Sequence, residues 1–360
     1  MARIVIAGGG TAGHIEPGLS LARLWHEKNP EDRISFLGTK TGLETKLVPS
    51  AGFELLLISK VVAPRKLSLS VLRAPFTFIL SVLQSHRYLK DASVLIGFGG
   101  YVSAPAYCAA KLSKIPIVIH ESNAKPGLAN RLGAFLGASL AISRSVEGGR
   151  FSEALITGLP LRREIIDSFN EAQKDWKKAR RDAKIELGCD PDKDLVLIMG
   201  GSQGSVALNK VVEESIDFLL KQGCSLIHSV GQANTLPNKR PGYIPMSYIT
   251  SMSEAYLAAD LLIARSGAVT CSEFRTLGRY ALFVPLPIGN GEQRLNAIDL
   301  VDTGRARIIE QSEFNSEYLQ INFRNLLSKS HDAPVEGDSS ELLATHKILS
   351  LMEYAILESK

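Results

Sequence analysis

The chain has 360 residues, too many for one small core and enough for two domains of ordinary size. Hydrophobic residues make up 45% and charged residues 22%, the balance of a globular protein, and a formal net charge of +4 calls for no nucleic-acid partner. Cys108, Cys189, Cys224 and Cys271 form no CxxC pair, which argues against a zinc site or disulfide framework and fits a reducing cytoplasm. The apolar start is too short for a signal peptide, and no segment offers the ~18 to 20 apolar residues of a membrane span, so any membrane contact is expected to be peripheral.

From the N-terminus, short runs rich in Val and Ile recur at 4–7, 34–37, 53–58, 94–96, 117–119 and 140–142. Runs this short and unbroken suit parallel strands buried on both faces. Residues 18–28 place Leu19, Leu21, Ala22, Leu24 and Trp25 at amphipathic helical spacing. Residues 61–90 mix Leu67, Leu69, Leu72, Phe76, Phe78, Ile79 and Leu83 with Lys66, Arg73, Arg87 and Lys90. That suits either an apolar face rimmed by cations at an anionic bilayer or a core helix with basic flanks. The stretch 167–187, dense in both signs of charge, reads as a solvated helix or linker at a domain boundary. The pattern restarts with a strand at 195–199, and later strands are expected at 225–230, 261–264, 281–284 and 307–309. A terminal amphipathic helix carries Leu342, Leu343, Ile348, Leu349, Met352, Tyr354, Ala355 and Ile356. Alternating strands and helices, begun twice, predict two α/β domains in tandem.

The polar residues that follow these strands carry the chemistry. Gly9-Gly10-Thr11-Ala12-Gly13-His14 puts an imidazole beside a glycine-rich turn where backbone N–H groups and a helix start favour an anion. Gly200-Gly201-Ser202-Gln203-Gly204 repeats the design in the second half. Gly99-Gly100-Tyr101-Val102-Ser103 and His120-Glu121-Ser122-Asn123 also follow strands, where an open parallel sheet exposes its functional edge. Arg265-Ser266-Gly267-Ala268 reads as a turn into a helix whose first N–H groups suit a phosphate, with Glu273 one turn on, able to accept from two ribose hydroxyls. The competing reading is plain Ser/Thr capping. Gln293 and Asn296 offer donors and acceptors to sugar hydroxyls. Asp190-Pro191-Asp192 precedes a strand, the wrong sheet edge for a metal-diphosphate site, and reads as a polar loop.

In order and spacing, these motifs resemble the MurG family, the UDP-N-acetylglucosamine to N-acetylmuramyl-pentapeptide pyrophosphoryl-undecaprenol transferases of bacterial cell-wall synthesis. The resemblance spans nearly the whole chain. It implies the GT-B fold, two Rossmann-like domains facing across a cleft, divided as 1–160 plus 340–360 and 161–339. It further implies an inverting, metal-independent hexosyltransferase without a cofactor, peripheral on the cytoplasmic face of the cell membrane. Its substrates would be UDP-N-acetylglucosamine and the lipid-linked N-acetylmuramyl-pentapeptide, with contacts to other cell-wall synthesis proteins left open.

Carried over residue by residue, the resemblance implies Ser202 near the diphosphate, Ile249 against the uracil, and Gln293 on the sugar. The turn Ala268, Val269, Thr270, Cys271, Ser272 and Glu273 would hold phosphate and ribose. Thr11, Ala12, Gly13 and Asn123 from the first domain, with Arg162 from the domain junction, would complete the donor site. His14 would be the candidate base for the acceptor hydroxyl, with the choice between it and Glu121 left open; by their chemistry, the helix N-termini after residues 202 and 267, with Arg162 or Arg265, suit stabilisation of the departing diphosphate. The chain departs from the family at Ala12, usually Gly; at Glu16, often apolar; and at Leu159, commonly Asn. Ala12 must therefore avoid strongly positive φ. A UDP-N-acetylglucosamine 2-epimerase on the same scaffold is the first rival. A dinucleotide-dependent oxidoreductase or a non-catalytic nucleotide-binding protein is the second, opposed because it leaves the second glycine loop and Glu273 unused.

Overall fold

The computed structural model describes residues 1–61, 69–201, 203–288 and 291–359, with side chains of the third helix described from Ala74 onward. Chain contacts divide it into two units, Met1–Arg162 with Glu341–Lys360, and Arg163–Ser340. Ser202 and much of the basic segment before residue 69 lie outside the described residues.

In the first unit, β1 (Arg3–Gly8), α1 (Ala12–Lys28), β2 (Arg33–Gly38), α2 (Glu44–Ser50), β3 (Glu54–Leu57) and α3 (Leu69–Leu89) come first. They are followed by β4 (Val94–Gly99), α4 (Ser103–Leu112), β5 (Ile117–Glu121), α5 (Leu128–Phe135), β6 (Ser139–Ile142) and β7 (Leu155–Ile156). The strands form a parallel sheet in the order β3-β2-β1-β4-β5-β6-β7. Val and Ile on β1, β4 and β5 are buried on both faces, as their unbroken apolar runs require.

The second unit runs α6 (Arg163–Ala172), α7 (Trp176–Glu186), β8 (Leu195–Met199), α8 (Val206–Lys221), β9 (Ser225–Ser229), β10 (Tyr243–Met246) and α9 (Met252–Ala258). It continues with β11 (Leu261–Ala264), α10 (Ala268–Leu277), β12 (Tyr280–Phe283), α11 (Glu292–Asn296), α12 (Ile298–Asp302), β13 (Ala306–Ile308) and α13 (Ser316–Asp332). Its parallel sheet has the order β10-β9-β8-β11-β12-β13. The chain then returns as α14 (Ala344–Glu358), burying Ile348, Leu349 and Met352 in the core of the first unit.

In each sheet the strand order reverses beside the strand that feeds a glycine turn, between β1 and β4 and between β8 and β11. Open α/β sheets form their ligand crevice at that point, outside the carboxyl ends of the strands.

Three local expectations change. The first helix begins at Ala12, six residues before the expected amphipathic stretch, so His14 sits on its first turn rather than in the glycine loop. Thr11 is the extended cap residue, and Ala12, in the helix, avoids the positive φ its methyl group disfavours. The charged stretch 167–187 is two helix segments, and two of its cations are buried: Arg180 donates to the carbonyls of Leu257, Leu277 and Val335, and Lys184 pairs with Asp260 at 2.7 Å. The remaining pairs, such as Lys174–Glu171 and Lys178–Asp182, are exposed as expected for a solvated helix. Strands β7 and β10 were not foreseen; both are sheet edges, and Pro245 in β10 disguises the pattern while costing an edge strand little.

Candidate active site

At the carboxyl edge of the first sheet, β1 ends in the turn Gly9-Gly10-Thr11 and α1 begins. His14 is half-buried, and its Nδ1 lies 3.3 Å from the Gly9 carbonyl and 3.3 Å from Thr11 Oγ1. A carbonyl only accepts, so this contact places the proton on Nδ1 and leaves the Nε2 lone pair as the basic site. Nε2 bonds to no described residue. Burial lowers the His14 pKa below its ordinary 6.5, opposed by the negative charge of Glu121 and by the Gly9 carbonyl.

The loop after β4 closes over this turn. Gly100 has φ +84°, and a Cβ there would stand 2.3 Å from the Gly9 carbonyl oxygen, so only glycine allows the two loops to meet. Ser103 locks α4 to the strands by donating to the Ala7 and Gly99 carbonyls at 3.1 and 2.7 Å.

Glu121 ends β5 and is buried. Its Oε1 accepts from Asn123 N (2.9 Å) and Asn123 Nδ2 (3.2 Å), and its Oε2 from Gly127 N (3.0 Å) and Asn130 Nδ2 (2.9 Å). Four donors occupy the carboxylate, an arrangement suited to holding Asn123 and the 123–130 loop, and its charge acts on His14. Asn130, absent from the sequence reading, is fixed in turn by Tyr107, whose hydroxyl donates to Oδ1 at 2.8 Å. His120 points into the core, with Nε2 2.9 Å from the Gly158 carbonyl, and burial drives its pKa down to about 4. Leu159, where the family commonly has Asn, is fully buried. Arg162 is half-buried at the end of this unit.

In the second unit, Ser205 caps α8 by accepting from Leu208 N at 3.4 Å. Gly267 caps α10 without a side chain, so the first-turn N–H groups of Ala268, Val269 and Thr270 have no cap partner from that position. The backbone N–H of Cys271 bonds the Gly267 carbonyl at 2.9 Å and its side chain is fully buried, so Cys271 takes part in the turn through its backbone. The hydroxyls of Ser266 and Ser272 are buried and bond to no described residue. An unpartnered buried hydroxyl costs roughly 1–3 kcal/mol, so the two mark a place that favours a polar ligand group. Glu273 is buried in α10 one turn beyond. Ile249 is also buried, so a base stacked there would meet its backbone rather than its side chain. Gln293 Oε1 accepts from Leu286 N at 3.0 Å, leaving its amide NH2 as the group for a sugar. Asn296 Nδ2 donates to the Ser266 carbonyl at 3.3 Å and so supports the α10 turn.

Arg265 is held by several partners. Its Nη1 donates to the carbonyls of Val284 and Pro285 (2.9 and 3.0 Å), and its Nη2 to Ser205 Oγ (2.9 Å) and Gln311 Oε1 (2.5 Å). With both terminal nitrogens engaged, the guanidinium ties together the loops after β8, β12 and β13. It joins these loops, while its buried Nε bonds to no described residue. Asp190 and Asp192 lie in an exposed loop, Asp192 paired with Arg181, as the polar-loop reading requires.

Two parallel sheets, each with a glycine turn at its switch point, and a helix start furnished for phosphate define a GT-B glycosyltransferase. The glycosyltransferase family 28 N-terminal domain matches residues 4–142 and the glycosyltransferase family 28 C-terminal domain matches residues 195–351. The chain belongs to this family and, within it, to the MurG family.

A Corynebacterium glutamicum UDP-N-acetylglucosamine--N-acetylmuramyl-(pentapeptide) pyrophosphoryl-undecaprenol N-acetylglucosamine transferase is 44% identical over 88% of this chain and 87% of its own length. The enzyme of that name from Streptomyces coelicolor is 42% identical over 91% and 90%. The crystal structure of Acinetobacter baumannii MurG superposes with a TM-score of 0.72 at 27% identity, covering 98% of this chain and all of that one. A UDP-GlcNAc 2-epimerase from Neisseria meningitidis reaches a TM-score of 0.64 at 14% identity over 98% of this chain and all of its own, a likeness of fold alone.

Proposed function

We propose that this chain transfers N-acetylglucosamine, with inversion, from UDP-N-acetylglucosamine to the 4-hydroxyl of the N-acetylmuramyl-pentapeptide carried on undecaprenyl diphosphate, at the cytoplasmic membrane face. The relatives named for that reaction, 42–44% identical over about nine-tenths of the chain, carry the reading. In the transfer, the acceptor oxygen attacks the anomeric carbon from the side opposite UDP, so one oxygen loses a proton while another gains negative charge.

His14 takes the proton at Nε2. The Gly9 contact sets the tautomer, and the lowered pKa keeps the imidazole neutral at cellular pH. Glu121 holds Asn123 and supplies the negative charge that stabilises the imidazolium formed. On the donor side, the N–H groups opening α10 receive a phosphate, assisted by Ser272 and by Ser202 on the preceding glycine turn. Glu273 takes the ribose hydroxyls, the Ile249 backbone meets the uracil, and the Gln293 amide meets the sugar. Thr11, Ala12, Gly13 and Arg162 complete the set.

For the membrane, the supporting observation is the inverted polarity of α3. Ser81 and Ser85 are fully buried, while Phe76, Ile79, Leu80 and Leu83, spaced along one face, are 75%, 56%, 49% and 55% exposed. Arg87 and Lys90, with Lys111 and Lys114 on and just after the adjacent α4, are exposed cations nearby. An apolar ridge with a basic margin suits an anionic bilayer surface. Among the described residues, no helix is long and apolar enough to cross a membrane.

The test is transfer of labelled N-acetylglucosamine from its UDP donor to a short-chain lipid-linked N-acetylmuramyl-pentapeptide, with EDTA present and an acceptor-free control. Labelled disaccharide-lipid is the expected product. Donor turnover in the control alone would replace this reading with the epimerase.

A further inference from the structure

The turn that fixes the His14 tautomer has three consecutive glycines, Gly8 to Gly10, and no large side chain of its own to hold it. Its anchor comes from elsewhere in the first unit. Glu44, the first residue of α2, is fully buried, and both of its oxygens are engaged. Oε1 accepts from Thr39 N (3.1 Å), Thr39 Oγ1 (3.2 Å) and Tyr101 OH (2.7 Å); Oε2 accepts from Gly10 N (3.1 Å). The Tyr101 ring packs directly on Gly10, where a Cβ would stand 2.8 Å from Cε1. Burial raises the Glu44 pKa, but its donors, Tyr101 foremost, outweigh burial and hold it below the usual carboxylate value. The Tyr101 phenol is pushed up to about 12 by burial and remains a donor.

We propose that Glu44 is a positioning residue for the base: through Gly10 N and Tyr101 it sets the Gly8–Thr11 turn, and thereby the Gly9 carbonyl that keeps the His14 proton on Nδ1. The inference rests on His14 acting as the base, but its first readout does not. In Glu44→Gln, an amide NH2 faces the Gly10 N–H, donor against donor, and the turn loses its anchor. Tyr101→Phe keeps the ring against Gly10 and removes only the hydroxyl.

Imidazole ¹⁵N spectra of His14 in the full chain, with thermal melts and steady-state kinetics, test this. The expected result for Glu44→Gln is loss of the pure Nδ1–H signature and a downward shift in the His14 titration, since the Gly9 carbonyl raises that pKa. With them, kcat should drop about tenfold while KM for the donor stays within about twofold. Tyr101→Phe should move each readout less, in the same direction, and it carries the test should Glu44→Gln fail to fold. A lowered melting temperature with His14 tautomer and titration unchanged in the folded variants would mean that Glu44 only stabilises the fold, and would overturn the proposal. Altered His14 spectra together with full turnover in His14→Ala would instead retain the positioning role and discard His14 as base.

Discussion

At the scale of the residue, the proposed mechanism assigns proton transfer to an imidazole in the first unit and phosphate binding to a helix start in the second. Replacing His14 with alanine should lower kcat by about 10² to 10⁴, the usual contribution of a general base. UDP affinity, measured calorimetrically, should stay within about twofold. Glu273→Ala should show the opposite pattern, weakened UDP binding with a smaller effect on kcat at saturating donor; equal loss of affinity in both variants would contradict this division. The His14 pKa lies below 6.5 because burial disfavours the cation, so the acid limb of the kcat/KM profile should fall below pH 6.5. Glu121→Gln removes a charge that raises this pKa and should carry the limb to lower pH still. A limb that stays in place would show that Glu121 does not act on the base electrostatically. The sequence favours His14, whose neutral imidazole is available near pH 7, without settling it against Glu121; the four donors around the Glu121 carboxylate support His14.

At the scale of the element, α3 and the Arg265 clasp make different demands. If the exposed face of α3 meets lipid, Phe76→Asp combined with Leu83→Asp should abolish co-sedimentation with anionic vesicles. Transfer to a water-soluble short-chain acceptor should be unaffected, because the altered side chains are already in solvent. Undiminished vesicle binding would remove α3 from the membrane account. The sequence showed the mixture of apolar and basic residues but left a bilayer face and a core helix as alternatives; the structure buries Ser81 and Ser85 and turns Phe76, Ile79, Leu80 and Leu83 outward. Arg265→Ala would strand the Val284 and Pro285 carbonyls and the Gln311 amide oxygen, each at roughly 1–3 kcal/mol when buried without a partner. Urea denaturation should show a marked loss of stability in the second unit, with UDP binding weakened because the loops after β8 and β12 are no longer joined. Full UDP affinity in a folded Arg265→Ala would return that arginine to a purely structural part.

For the whole molecule, acid is a condition that should weaken the fold. His120 in the first unit and His228 in the second are fully buried, and burial drives both pKa values to about 4 from an ordinary 6.5. His228 lies between Tyr243 and Asn209, with its ring nitrogens 3.0 and 3.2 Å from their side-chain oxygens. Between pH 6.5 and 4 the unfolded chain binds protons that the folded chain refuses, so stability is complete above 6.5 and is lost as pH falls toward 4. Shifts of this size correspond to roughly 3 kcal/mol for each histidine at the acid limit. Urea midpoints at pH 7 and pH 5 should therefore differ, with both units weakened; unchanged midpoints would contradict the burial assigned to these rings.

The sequence by itself determined the two parallel sheets, the places where each opens into a glycine turn, and the family. These are local properties: a doubly buried strand must be a short run of Val and Ile, and a turn that admits a phosphate must do without side chains. Tertiary structure alone decided which polar groups are tied into the loops around the glycine turns. Glu44 resembles a surface glutamate at the start of a short helix, yet it bonds to groups 34 and 57 positions away. Arg265 occupies a position suited to a diphosphate, yet its nitrogens close loops from 19 to 60 positions distant. A buried charge takes its role from the donors or acceptors that the folded chain brings within about 3 Å, and no local pattern of residues encodes that proximity.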